Sequence, residues 1–328
     1  MKKTTLFLII IFLTVIASMP AHAVIKKLAQ TGLQFLKVDV GARPAAMGGA
    51  FLMVGDDASA MFYNPAGISR MAYGSDVFVS RTQWIADITY NALAVAKDFG
   101  NLGTFGVSVL ASDYGDNIIG TRIAETEKGF VETGELDVGA YAVGLSYAKA
   151  LTNKFSIGGQ IKFAAQHLGE SMLSESETVD NKVSGVAYDF GTIFYPGFES
   201  FRFGMSIRNF SPEFKYAQEA FQLPLTFYIG FAMDVLDLMG EHENSLLIAI
   251  DAIHPRDYTE RIHVGGEYLL MNMIALRAGY KFNYDEESLT AGVGFQTDIS
   301  GLAIKVGYAY SDFGAFDPVN RLSFGISF

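Results

Sequence analysis

Across residues 75–328 the chain is a succession of segments in which every second side chain is apolar. That period dictates local structure, because successive side chains of an extended strand point to opposite faces. Phe155, Ile157, Gly159, Ile161 and Phe163 share one face, and Lys154, Ser156, Gly158, Gln160 and Lys162 share the other. Ile274, Leu276, Ala278, Tyr280 and Phe282 alternate in the same way with Ala275, Arg277, Gly279, Lys281 and Asn283. Fourteen such segments are predicted: 76–84, 87–98, 102–112, 135–149, 154–168, 182–196, 200–211, 223–236, 244–254, 259–270, 273–284, 287–299, 302–313 and 319–328. Most run 10 to 15 residues, longer than the five or six usual in soluble sheets and sufficient to cross a bilayer at a tilt.

The connections mostly alternate in length, the exceptions being a longer link at 237–243 and short ones near Ile85, 255–258 and 285–286. Links at 99–101, 151–153, 197–199, 271–272 and 300–301 are two or three residues long, whereas 113–134, 169–181 and 212–222 are long. Outer-membrane barrels place short turns on the periplasmic side and long loops outside. A soluble sandwich has no reason to sort its loops this way. In the last segment Leu322, Phe324, Ile326 and Phe328 face away from Arg321, Ser323, Gly325 and Ser327. It is expected to pair with the first strand, removing the edge an open sheet leaves exposed. The expected fold is therefore an all-β, transmembrane antiparallel barrel of about 14 strands.

Composition agrees. Half the residues are hydrophobic, yet beyond residue 23 no run approaches the ~18 apolar residues of a membrane helix. The formal charge of −11 argues against nucleic-acid binding, whose affinity comes from lysine and arginine neutralising phosphates. With no cysteine in the chain, disulfides, thiol nucleophiles and thiolate metal sites are excluded.

At the N-terminus, Lys2 and Lys3 precede an apolar run over 6–16, and Ala21-His22-Ala23 follows as a cleavage site. This is a secretory signal peptide. Cleavage is expected after Ala23, placing the mature chain in the bacterial outer membrane, with 1–23 as leader, 24–74 as an N-terminal hatch and 75–328 as the barrel.

The stretch 41–67, GARPAAMGGAFLMVGDDASAMFYNPAG, lacks strand alternation and is rich in small residues. Asp56 and Asp57 precede one to two predicted turns of helix over 58–63, which Asn64-Pro65 ends. Leu28, Leu33, Phe35 and Leu36 line one side of a short helix upstream. The loop pattern places the start of this hatch on the periplasmic side. Inward-facing Lys162, Arg202, Arg208, Arg277, Lys281 and Lys305 make the lumen polar, either as a pore lining or as an ion-pair network that fills it. Tyr147, Tyr188, Tyr195, Tyr268, Tyr280, Tyr284, Tyr308 and Tyr310 lie near strand ends, where interfacial girdles form. The long loops are acidic, serving either to keep them solvated or to bind divalent ions or a basic partner. Nothing points to catalysis, a metal or a cofactor: His167 and His263 fall on different strands with no serine motif and no ligand spacing.

Gly41-Ala42-Arg43, Met47-Gly48-Gly49-Ala50-Phe51, Asp56-Asp57-Ala58-Ser59-Ala60 and Tyr63-Asn64-Pro65-Ala66-Gly67 together resemble the N-terminal signature of the PorV/PorQ family. Asp317-Pro318-Val319-Asn320-Arg321-Leu322-Ser323-Phe324-Gly325 is similar to the end of those proteins. The Asp-Asp-Ala-Ser and Asn-Pro-Ala elements resemble, more distantly, FadL-type long-chain fatty-acid transporters. The resemblance implies a 14-stranded outer-membrane barrel with a hatch, in which Gly41, Arg43, Gly48, Gly49, Asp56, Asp57, Ser59, Asn64, Pro65 and Gly67 form the hatch motif. In the PorV branch it implies binding of secreted proteins through a C-terminal signal domain, together with other components of type IX secretion. In the FadL branch it implies passive uptake of hydrophobic small molecules. A transporter requires a continuous apolar pocket beside residues 51–63; a cargo binder does not.

Overall fold

The computed structural model describes residues 30–328 apart from 117, 175, 217–218 and 241–242. The expected leader and residues 24–29, Leu28 among them, lie outside the described residues. The strands in chain order begin with β1 (Ser75–Gln83), β2 (Thr89–Asp98), β3 (Thr104–Asp113), β4 (Ile119–Ile123), β5 (Phe130–Glu135) and β6 (Val138–Thr152). Next come β7 (Phe155–Ser174), β8 (Glu177–Phe194), β9 (Arg202–Phe210), β10 (Phe214–Lys215), β11 (Ala220–Phe221) and β12 (Thr226–Asp234). The last are β13 (Ser245–Pro255), β14 (Arg261–Leu270), β15 (Ile274–Phe282), β16 (Leu289–Ile299), β17 (Leu302–Ser311) and β18 (Val319–Ser327). Fourteen of them close an antiparallel barrel, while β4–β5 and β10–β11 are two-stranded ribbons in the long loops. Closure is the pairing of β1 with β18, running from Asp76 opposite Ser327 to Gln83 opposite Asn320. Leu322, Phe324 and Phe328 are exposed on its outer face.

The burial pattern is inverted relative to a soluble protein. Large apolar side chains such as Leu145, Ile161, Phe190, Val293 and Leu322 are more than half exposed, all on the outer wall. Alanine, glycine, serine and paired charges face inward, where residues 30–74 fill the lumen. Two expectations are corrected here. Residues 169–181 are not a loop: β7 and β8 run on as a hairpin beyond the barrel, over 20 and 18 residues. The tyrosines are not one girdle: Tyr147, Tyr280, Tyr308 and Tyr310 are exposed on the wall, but Tyr284 hydrogen-bonds His263 and Tyr195 stacks under Arg70 of the hatch.

Candidate functional site: the hatch and its seat in the barrel wall

The hatch threads the lumen from the long-loop mouth to the short-turn mouth, opposite to the expected direction of entry. At the long-loop end Thr31 bridges Gln222, and its hydroxyl donates to Asp257 at 2.7 Å. Lys37 pairs with the same carboxylate at 3.0 Å. At the other end Tyr73 hydrogen-bonds Asp298, beside the two-residue turn between β16 and β17. The start could not sit in the periplasmic mouth, because its apolar residues Leu33, Phe35 and Leu36 pack with Phe214, Leu223 and Phe221 of the long 210–226 connection.

Between the two mouths the hatch is tied to the wall at successive heights. Asp39 pairs with Lys281 at 2.6 Å, and Lys281 also contacts Glu287. Arg43, in the α-helical turn Ala42–Ala46, makes a two-point pair with Glu267 at 2.9 and 2.7 Å. The Asp251 carboxylate accepts the amides of Phe51 and Leu52 at 2.9 and 3.0 Å. Asp57 pairs with Lys305 at 3.3 Å, and Arg70 donates to Ser156 at 2.8 Å. Of the inward cations, Lys162, Arg277, Lys281 and Lys305 are ion-paired. Arg202 donates to the Met53 and Ser200 carbonyls and Arg208 to Tyr228 and the Leu36 carbonyl, so they tie the hatch and wall together rather than line an open pore.

The motif residues build the turns that place these ties. Asp57 caps the 3₁₀ helix Ala58–Phe62 by accepting the Ser59 amide at 3.0 Å, and the Ser59 hydroxyl donates to the same oxygen. The predicted turn of helix is present, as a 3₁₀ helix. Asn64 does not merely end it. Its side chain accepts the Ala66 amide, opening the next 3₁₀ helix Pro65–Arg70, while Nδ2 donates to the carbonyls of Leu52 and of Thr192 on β8. One side chain thereby joins two hatch turns to the wall. Asp56 is exposed and pairs with Arg43 at 3.1 Å. Gly48 and Gly49 take positive φ at the end of the helical turn, as does Gly41 at its start. Gly67 has a different reason: a Cβ there would stand 2.4 Å from the Gly55 carbonyl.

Electrostatics reinforce the seat. Burial alone would raise the Asp57 carboxyl, but Lys305, Arg43 and the Ser59 hydrogen bond outweigh it and hold it below the usual carboxylate range. Asp39 is likewise pushed up by burial and brought below its ordinary value by Lys281 and Arg321.

Sequence reasoning did not single out the wall side of the site. Gly158, Gly191, Gly265 and Gly279 face inward, and a Cβ on any of them would lie 1.9 to 2.3 Å from hatch atoms of Ala66, Asn64, Met47 or Gly48. Their clustering on inward faces was the available signal, as was the lone acid Asp251 on an otherwise small or apolar face. Among the described residues no group of three or more His, Asp or Glu is placed to hold a metal ion.

Little space remains around the seated hatch. Voids of about 40 Å³ beside Asp57 and Arg277 and about 20 Å³ between Leu36, Phe62 and Leu110 hold one or a few waters at most. Phe51 and Tyr63 are buried edge to face at 5.1 Å, where a solute path would have needed its apolar pocket. The larger cavity, about 530 Å³, is a polar vestibule at the short-turn mouth lined by Arg43, Asp56, Arg202, Glu267 and Lys305 among others.

The fold and its plugged lumen define an outer-membrane β-barrel with an internal hatch. The model of the type IX secretion system membrane protein PorP/SprF family matches residues 58–315, and the chain belongs to that family. The match agrees with the motif resemblance at the level of type IX secretion, but it names PorP/SprF rather than PorV/PorQ. No curated protein matches the sequence. Among solved structures, the toluene transporter TbuX of Ralstonia pickettii is similar with a TM-score of 0.55 at 14% identity, covering 88% of this chain and 98% of that one. The Pseudomonas putida toluene transporter TodX gives 0.56 at 11% identity, covering 88% and 96%. These likenesses establish a shared barrel architecture.

Proposed function

We propose that this barrel is a plugged, non-enzymatic binding component of type IX secretion, of PorV/PorQ character, which holds or escorts secreted proteins bearing a C-terminal signal domain. The observation that carries the reading is the plugged lumen: a hatch held by ion pairs at several heights, with water-sized voids beside Asp57 and Phe62 and a larger polar vestibule, reaching Asp56, at the short-turn mouth. Such a barrel offers its mouths and loops to a partner, not its interior to a solute. Membership of a type IX secretion family supports the same reading.

A second reading, passage of hydrophobic small molecules, is favoured by the architecture shared with toluene transporters. It requires the hatch to leave its seat. The two are separated by one pair of measurements. Affinity purification from native membranes under mild detergent should return secreted proteins that share a C-terminal domain, and liposomes carrying the pure protein should take up toluene or oleate no faster than empty ones. Uptake above that background, with no protein co-purified, reverses the order of the two readings.

A further inference from the structure

The membrane-facing wall carries an apolar dent of about 410 Å³ where β6, β7, β8 and β9 run side by side. Tyr147, Ile157, Phe190, Met205 and Ile207 form its rim, all exposed on the outer face. Gly159 lies at its floor. Its outward neighbours along β7 are Ile157 and Ile161, so one missing side chain opens the row. The hatch does not demand this glycine. A Cβ at Gly159 would meet nothing nearer than 3.6 Å, whereas one at Gly158 would stand 2.3 Å from the Ala66 nitrogen.

Lys149 flanks the dent on the outer face toward the short turns, and Lys154 sits in the adjoining β6–β7 turn. Lys149 follows Tyr147 on the outer face of β6 and is the register partner of Ile157; its Nζ donates to the Asn101 carbonyl at 2.8 Å. Lys154, in the turn before β7, reaches the Pro196 carbonyl at 3.1 Å. Neither has a carboxylate partner among the described residues, so each ammonium keeps donors free. The five residues from Lys154 to Gly159 span roughly 16 Å of strand at about 3.3 Å per residue. At a strand tilt of about 40° that projects to roughly 12 Å along the membrane normal, within one leaflet of a ~30 Å hydrocarbon core.

We propose that this dent seats an acyl chain of an anionic phospholipid of the periplasmic leaflet, with Lys149 and Lys154 at its phosphate. Location and charge both select this occupant. The dent opens only toward the membrane, it lies in the half of the wall next to the short turns, and the groups at its headgroup end are unpaired cations. Gly158 and Gly191 in the dent's lining pack their inward sides against the Asn64-Pro65-Ala66 turn of the hatch.

The test is native mass spectrometry of the full chain released from nanodiscs of equimolar phosphatidylglycerol and phosphatidylethanolamine. The wild type should retain one phospholipid with about tenfold preference for phosphatidylglycerol. Gly159→Leu should lose the retained lipid of either headgroup while keeping the heat-modifiable mobility of a folded barrel. If that variant does not assemble, Thr192→Leu narrows the same dent. The double variant Lys149→Gln, Lys154→Gln should retain lipid with its preference reduced to near unity. Wild-type retention in a folded dent-filling variant overturns the proposal, and so does an unchanged headgroup preference in the lysine double variant.

Discussion

Arg43 of the hatch and Glu267 of β14 form a two-point ion pair, with Nε to Oε2 at 2.9 Å and Nη2 to Oε1 at 2.7 Å. Arg277 donates to the same Oε2 at 2.5 Å, so one wall carboxylate answers two guanidiniums. Glu267→Ala leaves those cations facing each other with only the exposed Asp56 still paired to Arg43 among the described residues. Breaking a buried pair on one side costs about 3–5 kcal/mol, and the lower end is expected because the Arg43 side chain is 24% exposed. Denaturant unfolding in detergent should show the loss, and planar-bilayer recordings should show openings absent from the wild type. Unchanged stability together with a silent bilayer would remove this pair from the account of hatch closure.

Neighbouring glycines make a matched control for hatch packing. Gly158→Ala drives a methyl into the Pro65–Ala66 backbone, and overpacking of this kind costs about 1–3 kcal/mol. Gly159→Ala, one residue on and facing out, meets ordinary contact distances and should fall within about 0.5 kcal/mol of wild type. Gly279→Ala should behave like Gly158→Ala, since its Cβ would lie 2.2 Å from the Gly48 nitrogen. Midpoints of the heat-modifiable gel shift rank the three. Equal midpoints for Gly158→Ala and Gly159→Ala contradict a wall fitted to the hatch.

The barrel was legible in the sequence because a period of two reports the face of each residue whatever it touches. Leu322, Phe324 and Ile326 point outward in the structure for the same reason that they alternate in the chain. The direction of the hatch was not legible. Nothing in 31–40 says which mouth it occupies; that depends on Thr31 and Lys37 finding Asp257 more than two hundred residues away. The inward glycines read as the polar side of strands, and only the hatch backbone against them shows that they form its bed. The β7–β8 extension was missed because a hairpin solvated on both faces carries loop-like composition, here Glu170, Glu177 and Asp180.

The depressed Asp57 carboxyl predicts an acid-sensitive seat. Its pKa in the folded protein lies below the unfolded value of about 3.9. The stabilisation is therefore fully present above that value and is lost as pH falls through the folded one. Asp39 acts in the same direction. Unfolding midpoints should drop below about pH 4, and Asp57→Asn should flatten part of that drop. A variant that keeps the full wild-type slope would assign the acid sensitivity to other carboxylates.

The threading of the hatch predicts opposite accessibility at its two ends, and a chain without cysteine gives no background to a thiol label. Gln30 is exposed next to the Thr31–Gln222 bridge at the long-loop mouth, and Ala72 is exposed at the short-turn mouth. In intact cells a membrane-impermeant maleimide should label Gln30→Cys and leave Ala72→Cys unmodified until the outer membrane is permeabilised. Gly41→Cys is a poor substitute for either, because Gly41 is buried at positive φ with Phe78 2.8 Å from where its Cβ would lie. Labelling of Ala72→Cys alone in intact cells would invert the barrel. Labelling of neither would mean that residue 30 is covered from outside, so that the long loops or a partner close over the mouth into which the hatch begins.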